Sequence, residues 1–187
     1  MSKTLENLAK AFIGESQARN RYTFYAKTAF KENLFEISDI FIKTADNEAQ
    51  HAKELLKMIK KIQGDQIEIK VEVEVPNVFG TTTENLKSAI AGEHHENSEM
   101  YPEFGNTAQE EGLLDEADKL RAIGFAEKHH EEVFAKLLND LENGKIFKKD
   151  EEVNWECQKC GYLHTGKEAP EKCRSCGHPT EYFRVYC

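Results

Sequence analysis

Two copies of one metal-ligand pattern run through the first two-thirds of the chain. Glu15 is followed 33 residues later by Glu48-x-x-His51, and Glu93 is followed 34 residues later by Glu127-x-x-His130. On a helix, Glu-x-x-His puts both side chains on one face, one turn apart. Two such helices plus two single-Glu helices form the ligand set of a dinuclear carboxylate site in a four-helix bundle. The pattern therefore constrains fold, metal content and chemistry together.

The apolar spacing supplies the four helices. It predicts them over roughly 4–30, 34–63, 83–110 and 113–142. Asn33 with Glu36, and Thr81 with Glu84, are candidate N-caps and capping boxes for the second and third. Gly64 and Gly144 are stops, and Pro102 inside the third predicts a kink or bulge. Residues 65–80 break the period. Ile67, Ile69, Val71, Val73 and Val75 alternate with polar residues before Pro76. Locally this is strand-like, but a lone strand between helix pairs is marginal. An extended crossover joining two helix hairpins fits better.

The acids sit where a core should be. Glu15 lies between Phe12 and Tyr22, Glu48 and His51 between Ala45 and Leu55, Glu93 and Glu96 between Ile90 and Met100, and Glu127 and His130 between Ile123 and Phe134. Chance explains any one of them. It does not explain four helices at matched depth, because each unpaired buried charge costs several kcal/mol. Metal resolves the cost. Glu15, Glu48, Glu93, Glu96 and Glu127 together carry five negative charges when ionised. Two divalent or two trivalent ions bring the site close to neutral. Carboxylate and imidazole donors suit iron or manganese better than copper. His94, His95 and His129 point away from the ligand face. Tyr22 is either a core aromatic or a hydrogen-bond donor to a ligand carboxylate. Tyr101 sits about 80° from Glu93 on an ideal helix, unless distortion near Pro102 swings it back.

Composition narrows the rest. With 34 acidic against 25 basic residues the net charge is −9, which argues against nucleic acid or anionic membrane as a partner. No apolar run approaches the ~20 residues of a membrane span. The N-terminus lacks the apolar core of a signal peptide, so a cytoplasmic location is expected. Two Cys-x-x-Cys pairs, Cys157/Cys160 and Cys173/Cys176, form a tetrahedral thiolate set, and Cys187 stands alone. Their module, Trp155 to Cys187 behind a charged linker from Lys145 to Asn154, is too small to fold without a metal. Trp155, Tyr162 and Phe183 are its candidate core. Spacing leaves iron and zinc open, and attachment to a redox bundle favours iron, as an electron carrier.

The chain resembles the rubrerythrins. The resemblance rests on Gly14-Glu15-Ser16-Gln17-Ala18-Arg19, Tyr22-Thr23-Phe24-Tyr25-Ala26, Glu48-Ala49-Gln50-His51, Gly92-Glu93-His94-His95-Glu96, Met100-Tyr101-Pro102 and the four-cysteine module. It implies an all-α ferritin-like four-helix bundle over 1–146, with a long crossover at about 64–82, and a small metal-stabilised rubredoxin-like β/loop domain over 147–187. It implies a non-haem diiron peroxidase that reduces hydrogen peroxide to water. Electrons would come from reduced pyridine nucleotide through a rubredoxin or an NAD(P)H-dependent reductase. By resemblance Glu15, Glu48, His51, Glu93, Glu96, Glu127 and His130 hold two irons, and Glu48 and Glu127 bridge them. Glu96 and His51 exchange on one iron, and Tyr22 and Tyr101 hydrogen-bond ligand carboxylates. Cys157, Cys160, Cys173 and Cys176 hold a third iron. A homodimer or higher homo-oligomer is expected. The competing readings are a ferroxidase or iron-storing shell, to which a cysteine module adds nothing, and a zinc-ribbon scaffold.

Overall fold

The computed structural model describes residues 2–64 and 68–186. Helices α1 (Lys3–Lys31) and α2 (Phe35–Gln63) form one hairpin. The second hairpin pairs α5 (Leu114–Glu142) with a composite helix. That composite is α3 (Thr82–His95), a π turn over Glu96–Met100, and α4 (Tyr101–Glu110). The helix bounds agree with the expected ones to within a residue or so. The expected kink or bulge is present as a widened turn over Glu96–Met100, ending just before Pro102.

Both hairpin turns are built alike, and one corrects an expectation. Asn33 does not cap α2. It adopts φ 61 and closes α1 instead, with the Leu34 N–H donating to Ala29 O at 2.9 Å. Gly112 at φ 79 does the same for α4, with Leu113 N–H on Ala108 O at 2.8 Å. Leu34 and Leu113 are then the first residues before α2 and α5 and give no side-chain cap. Each turn also carries a glutamate that caps the opposite hairpin. Glu32 accepts from Thr82 N–H at the start of α3. Glu111 accepts from Lys3 and Thr4 N–H at the start of α1. Thr81 and Glu84 form the expected capping box, and Gly64 stops α2 at φ 66.

Residues 68–80 form no strand. They run as an extended crossover, with Ile69 and Val71 laid on the lower core. Tyr25 Oη donates to Val78 O at 2.7 Å, which ties the crossover's far end down. Ile67 lies outside the described residues. The bundle core divides into two apolar clusters. One gathers around Leu8, Leu55, Tyr101 and Leu120, the other around Tyr22, Phe41, Leu86 and Phe134.

The C-terminal module is a three-stranded antiparallel sheet in the order β2-β1-β3. The strands are β1 (Lys148–Cys157), β2 (Leu163–Glu168) and β3 (Phe183–Val185). The segment expected as a charged linker is thus largely strand. Its lysines are tied in, Lys148 to Glu168 at 2.6 Å and Lys149 to Asp140 of α5 at 2.7 Å. Trp155 and Phe183 are fully buried, with Tyr162 packed against them. The module rests on the α1–α2 turn. Tyr182 packs at a tilt on Phe35, 4.4 Å between ring centres, and Gln158 donates to Asp39 at 3.0 Å.

Candidate metal centres

The doubled pattern converges at mid-bundle. Glu15, Glu48, His51 and Glu127 offer donor atoms within 4.8 Å of one another, and so do Glu48, Glu93, Glu127 and His130. Glu48 and Glu127 belong to both groups, so two ions bound there would share them. His51 Nδ1 lies 2.8 Å from Glu127 Oε1 and 3.0 Å from Glu48 Oε2. His130 Nδ1 lies 2.8 Å from Glu127 Oε2 and 3.2 Å from Glu48 Oε1.

The donor set fits a pair of cations. Glu15, Glu48, Glu93 and Glu127 are essentially buried. Glu15 Oε2, Glu48 Oε1, Glu93 Oε2, both Glu127 oxygens and His130 Nδ1 have no hydrogen-bond partner of regular geometry. Buried polar atoms left bare cost about 1–3 kcal/mol each, more when charged. Six of them, spread over the two donor groups, suit a pair of cations.

In the metal-free chain, protons must serve instead. Burial, and then the charges of Glu96, Glu127 and Glu48, hold the Glu15 carboxyl well above the usual range. Burial followed by the charges of Glu93, Glu127 and Glu48 does the same to Glu96. Burial lifts Glu93 to about 7 against the pull of His130. Burial alone would lower the histidines. The facing carboxylates, Glu127 first and then Glu48, outweigh it and lift His51 to about 9 and His130 to about 12.

The two tyrosines cross over between the hairpins. Tyr22 Oη on α1 donates to Glu93 Oε1 of α3 at 2.5 Å. Tyr101 Oη on α4 donates to Glu15 Oε1 of α1. Tyr22 is also a core aromatic, packed on Phe41 and Phe134, so its two readings hold together. Burial, and then the adjacent glutamates, push both phenols well up, so they remain donors.

The π turn explains Tyr101. Glu15 and Tyr22 are seven residues apart, whereas Glu93 and Tyr101 are eight apart. A π turn absorbs one residue, so Tyr101 takes the position of a seventh residue, about 20° from Glu93. The same residue makes the second Glu-to-Glu spacing 34 rather than 33. Glu96 opens this turn and is half-buried. It belongs to neither donor group, while His51 belongs to the first. His94, His95 and His129 are exposed as expected.

Three contributors were not read from the sequence. Asn97 Nδ2 donates to Glu93 O and to Glu131 Oε2, both at 2.7 Å. Glu131 also faces His94 Nδ1 at 3.0 Å. Gly124 leaves room for Tyr101. A Cβ there would lie 3.0 Å from Tyr101 Cβ. A mid-helix glycine is the one signal that could have been read.

In the module, Cys157, Cys160, Cys173 and Cys176 converge within 4.8 Å. Sulfur separations of 3.7 and 3.6 Å exclude disulfides. They match the ~3.8 Å edge of a tetrahedron with metal–sulfur bonds near 2.3 Å. Gly161 and Gly177, at φ 72 and 77, make the two knuckles turn.

Comparison with known proteins agrees with this geometry. The rubrerythrin family model matches residues 6–138, and the model of the rubrerythrin rubredoxin-like domain matches residues 155–184. The chain belongs to the rubrerythrin family. A putative rubrerythrin of Methanocaldococcus jannaschii is 58% identical, over 100% of this chain and 94% of that protein. The rubrerythrin of Clostridium perfringens is 48% identical, over 99% and 95%. A nigerythrin solved in a mixed-valence state matches with a TM-score of 0.67 and 32% identity, over 100% of this chain and 88% of that one. As a rubrerythrin the chain is of a diiron, peroxidase type. Its carboxylate–histidine centre is a diiron site, and its four cysteines form a rubredoxin-type iron site. No helix among the described residues is long and apolar enough to cross a membrane.

Proposed function

We propose that this rubrerythrin reduces hydrogen peroxide to water at its diiron site, with electrons delivered through its four-cysteine iron. The observation that carries the reading is the sharing of donors. Glu48 and Glu127 belong to both clusters, while Glu96 belongs to neither. Bound as a pair, the irons supply the two electrons that O–O cleavage takes up. Glu15 and His51 would hold one iron and Glu93 and His130 the other, with Glu48 and Glu127, common to both donor groups, available to each. Glu96, outside both donor groups, would be the carboxylate that trades with His51 when the oxidation state of bound iron changes. Tyr22 and Tyr101 orient the Glu93 and Glu15 carboxylates, leaving the other oxygen of each free to hold iron. Glu96, partly exposed beside the donor groups, would pass protons between solvent and the site. Stopped-flow mixing of the reduced protein tests the reaction, with faster oxidation by peroxide than by O2 expected. The reverse order rules it out. Anaerobic metal analysis should give three irons per chain, and two irons with one zinc removes the electron path.

The electron path supports a dimer. The module docks at Phe35, and 13 residues of α2 separate Phe35 from Glu48. At 1.5 Å per residue that is about 20 Å along the axis, far for direct electron transfer within one chain. A second chain bringing its module to mid-bundle removes the gap. Phe24, Phe30, Ile42, Leu56, Val75 and Phe79 on α1, α2 and the crossover are large exposed apolar residues that such a contact could cover. Light scattering tests this, and a monomer overturns the dimer without touching the site. A rubredoxin or an NAD(P)H-dependent reductase is the donor class. We place the domain boundary between Ile146, buried in the bundle core, and Phe147, which packs on both domains. Thiols kept for metal fit a cytoplasmic setting.

A further inference from the structure

The residue inserted in the second copy of the pattern needs something to hold it in place. A π turn is a strained departure from the α-helix, found as single turns at functional sites. Here Tyr101 N–H bonds to Glu96 O, five residues back. Around the shift, side chains add hydrogen bonds to carbonyls of the preceding turn. Asn97 Nδ2 donates to Glu93 O at 2.7 Å, and Ser98 Oγ to His94 O at 2.6 Å. Asn97 does more. Its second amide hydrogen goes to Glu131 Oε2 on α5, at 2.7 Å. Glu131 follows His130 directly and lies one turn after Glu127. One amide thus links the backbone of the Glu93 segment to the helix that carries Glu127 and His130. The residue before Asn97 is Glu96. On the outer side a cavity of about 240 Å³, lined by Asn97, Tyr101, Asn106, Arg121 and Phe125, leaves the turn room to move.

We propose that Asn97, anchored by Glu131, is a positioning residue that pins the π turn to α5 and so sets how far Glu96 reaches toward the first donor cluster. It touches neither iron nor substrate. Without the pin, the turn loses its side-chain hydrogen bond to α5 and Glu96 loses its defined approach. The ferric state gains most from an added carboxylate, so it should suffer more than the ferrous state. The proposal rests on the diiron reading above.

The test compares Asn97→Leu, Glu131→Leu and Glu131→Gln with the parent protein, all loaded anaerobically with ferrous iron. Leucine fills the space of Asn97 but donates nothing. Glutamine in place of Glu131 keeps an acceptor oxygen for Asn97. Three readouts are taken: irons bound per chain, midpoint potential of the diiron site, and Mössbauer parameters of the two ferric sites. Both leucine variants should keep the ferrous iron count and lose about tenfold in ferric-over-ferrous preference, the scale of one charge-assisted hydrogen bond. One ferric site should change its Mössbauer parameters. Glu131→Gln, which keeps the acceptor but not the charge, should recover about half of the loss or more. A parent-like potential and spectrum in Asn97→Leu overturns the proposal, even if the variant melts lower. If Asn97→Leu does not fold, Glu131→Leu carries the same decision. A parent protein that binds no iron pair defeats the diiron reading itself, which is a separate result.

Discussion

A carboxylate beside an imidazole deep in a bundle can be satisfied by protons or by metal, and the two states answer differently to pH. In the metal-free chain Glu93 titrates at about 7 and His51 at about 9. Both exceed their ordinary values, so the folded state binds more protons than the unfolded one. Their stabilisation is complete at low pH and is lost as pH rises through about 7 and then about 9. Glu48, held low by His130 and His51 against its burial, works the other way, and only as pH falls below its ordinary value. The urea midpoint of chelator-treated protein should therefore fall between about pH 6 and about pH 9. The iron-loaded protein should not follow, since metal replaces those protons. Parallel curves would show that the site is not proton-filled without metal. Removing a phenol donor tests the same atoms. Tyr101→Phe leaves Glu15 Oε1 without its partner and should cost about 1–3 kcal/mol in metal-free protein, read by urea denaturation. At this scale the ligands were legible, because buried acids in a fixed spacing have few explanations. Asn97 and Glu131 were not, since a polar residue on a solvated helix side shows no sign of what its amide reaches.

At the scale of elements, helix ends were legible because capping chemistry is local. Thr81 with Glu84 shows it. Asn33 misled because the same residue type suits an N-cap and a left-handed closure, and only the partner carbonyl decides. The π turn was half legible. Pro102 announced a distortion, but the cause lay in the spacing between the two copies. This predicts that deleting Ser98 converts the π turn to regular α-helix, with Tyr101 still at Glu15 and α4 still in register on α5. Circular dichroism should show full helical content and a melting temperature no lower than the parent's. Loss of the helical signal would mean that α4 depends on the wider turn for its packing.

At the scale of the molecule the two-part organisation was legible from the cysteines, while the docking was not, because it depends on contacts such as Phe35 with Tyr182 that join distant segments. Trp155 is the chain's one tryptophan and is fully buried in the module. Its fluorescence therefore reports the module alone. Stripping the cysteine-bound metal should move that emission to that of exposed tryptophan and leave the helical dichroism largely intact. Loss of both together would show that the bundle needs the module to fold. The bundle has a dependence of its own. Glu32 caps the helix that opens the second hairpin and Glu111 the helix that opens the first. Tyr22 and Tyr101 reach across in the same reciprocal way, and each donor cluster draws on both hairpins. Neither half is a site, and each completes the other through contacts that do not depend on which chain supplies it. Two chains trading hairpins would rebuild every one of these bonds. Whether a bundle is made by one polypeptide or two is therefore decided outside it, by the length and course of the 64–81 connection.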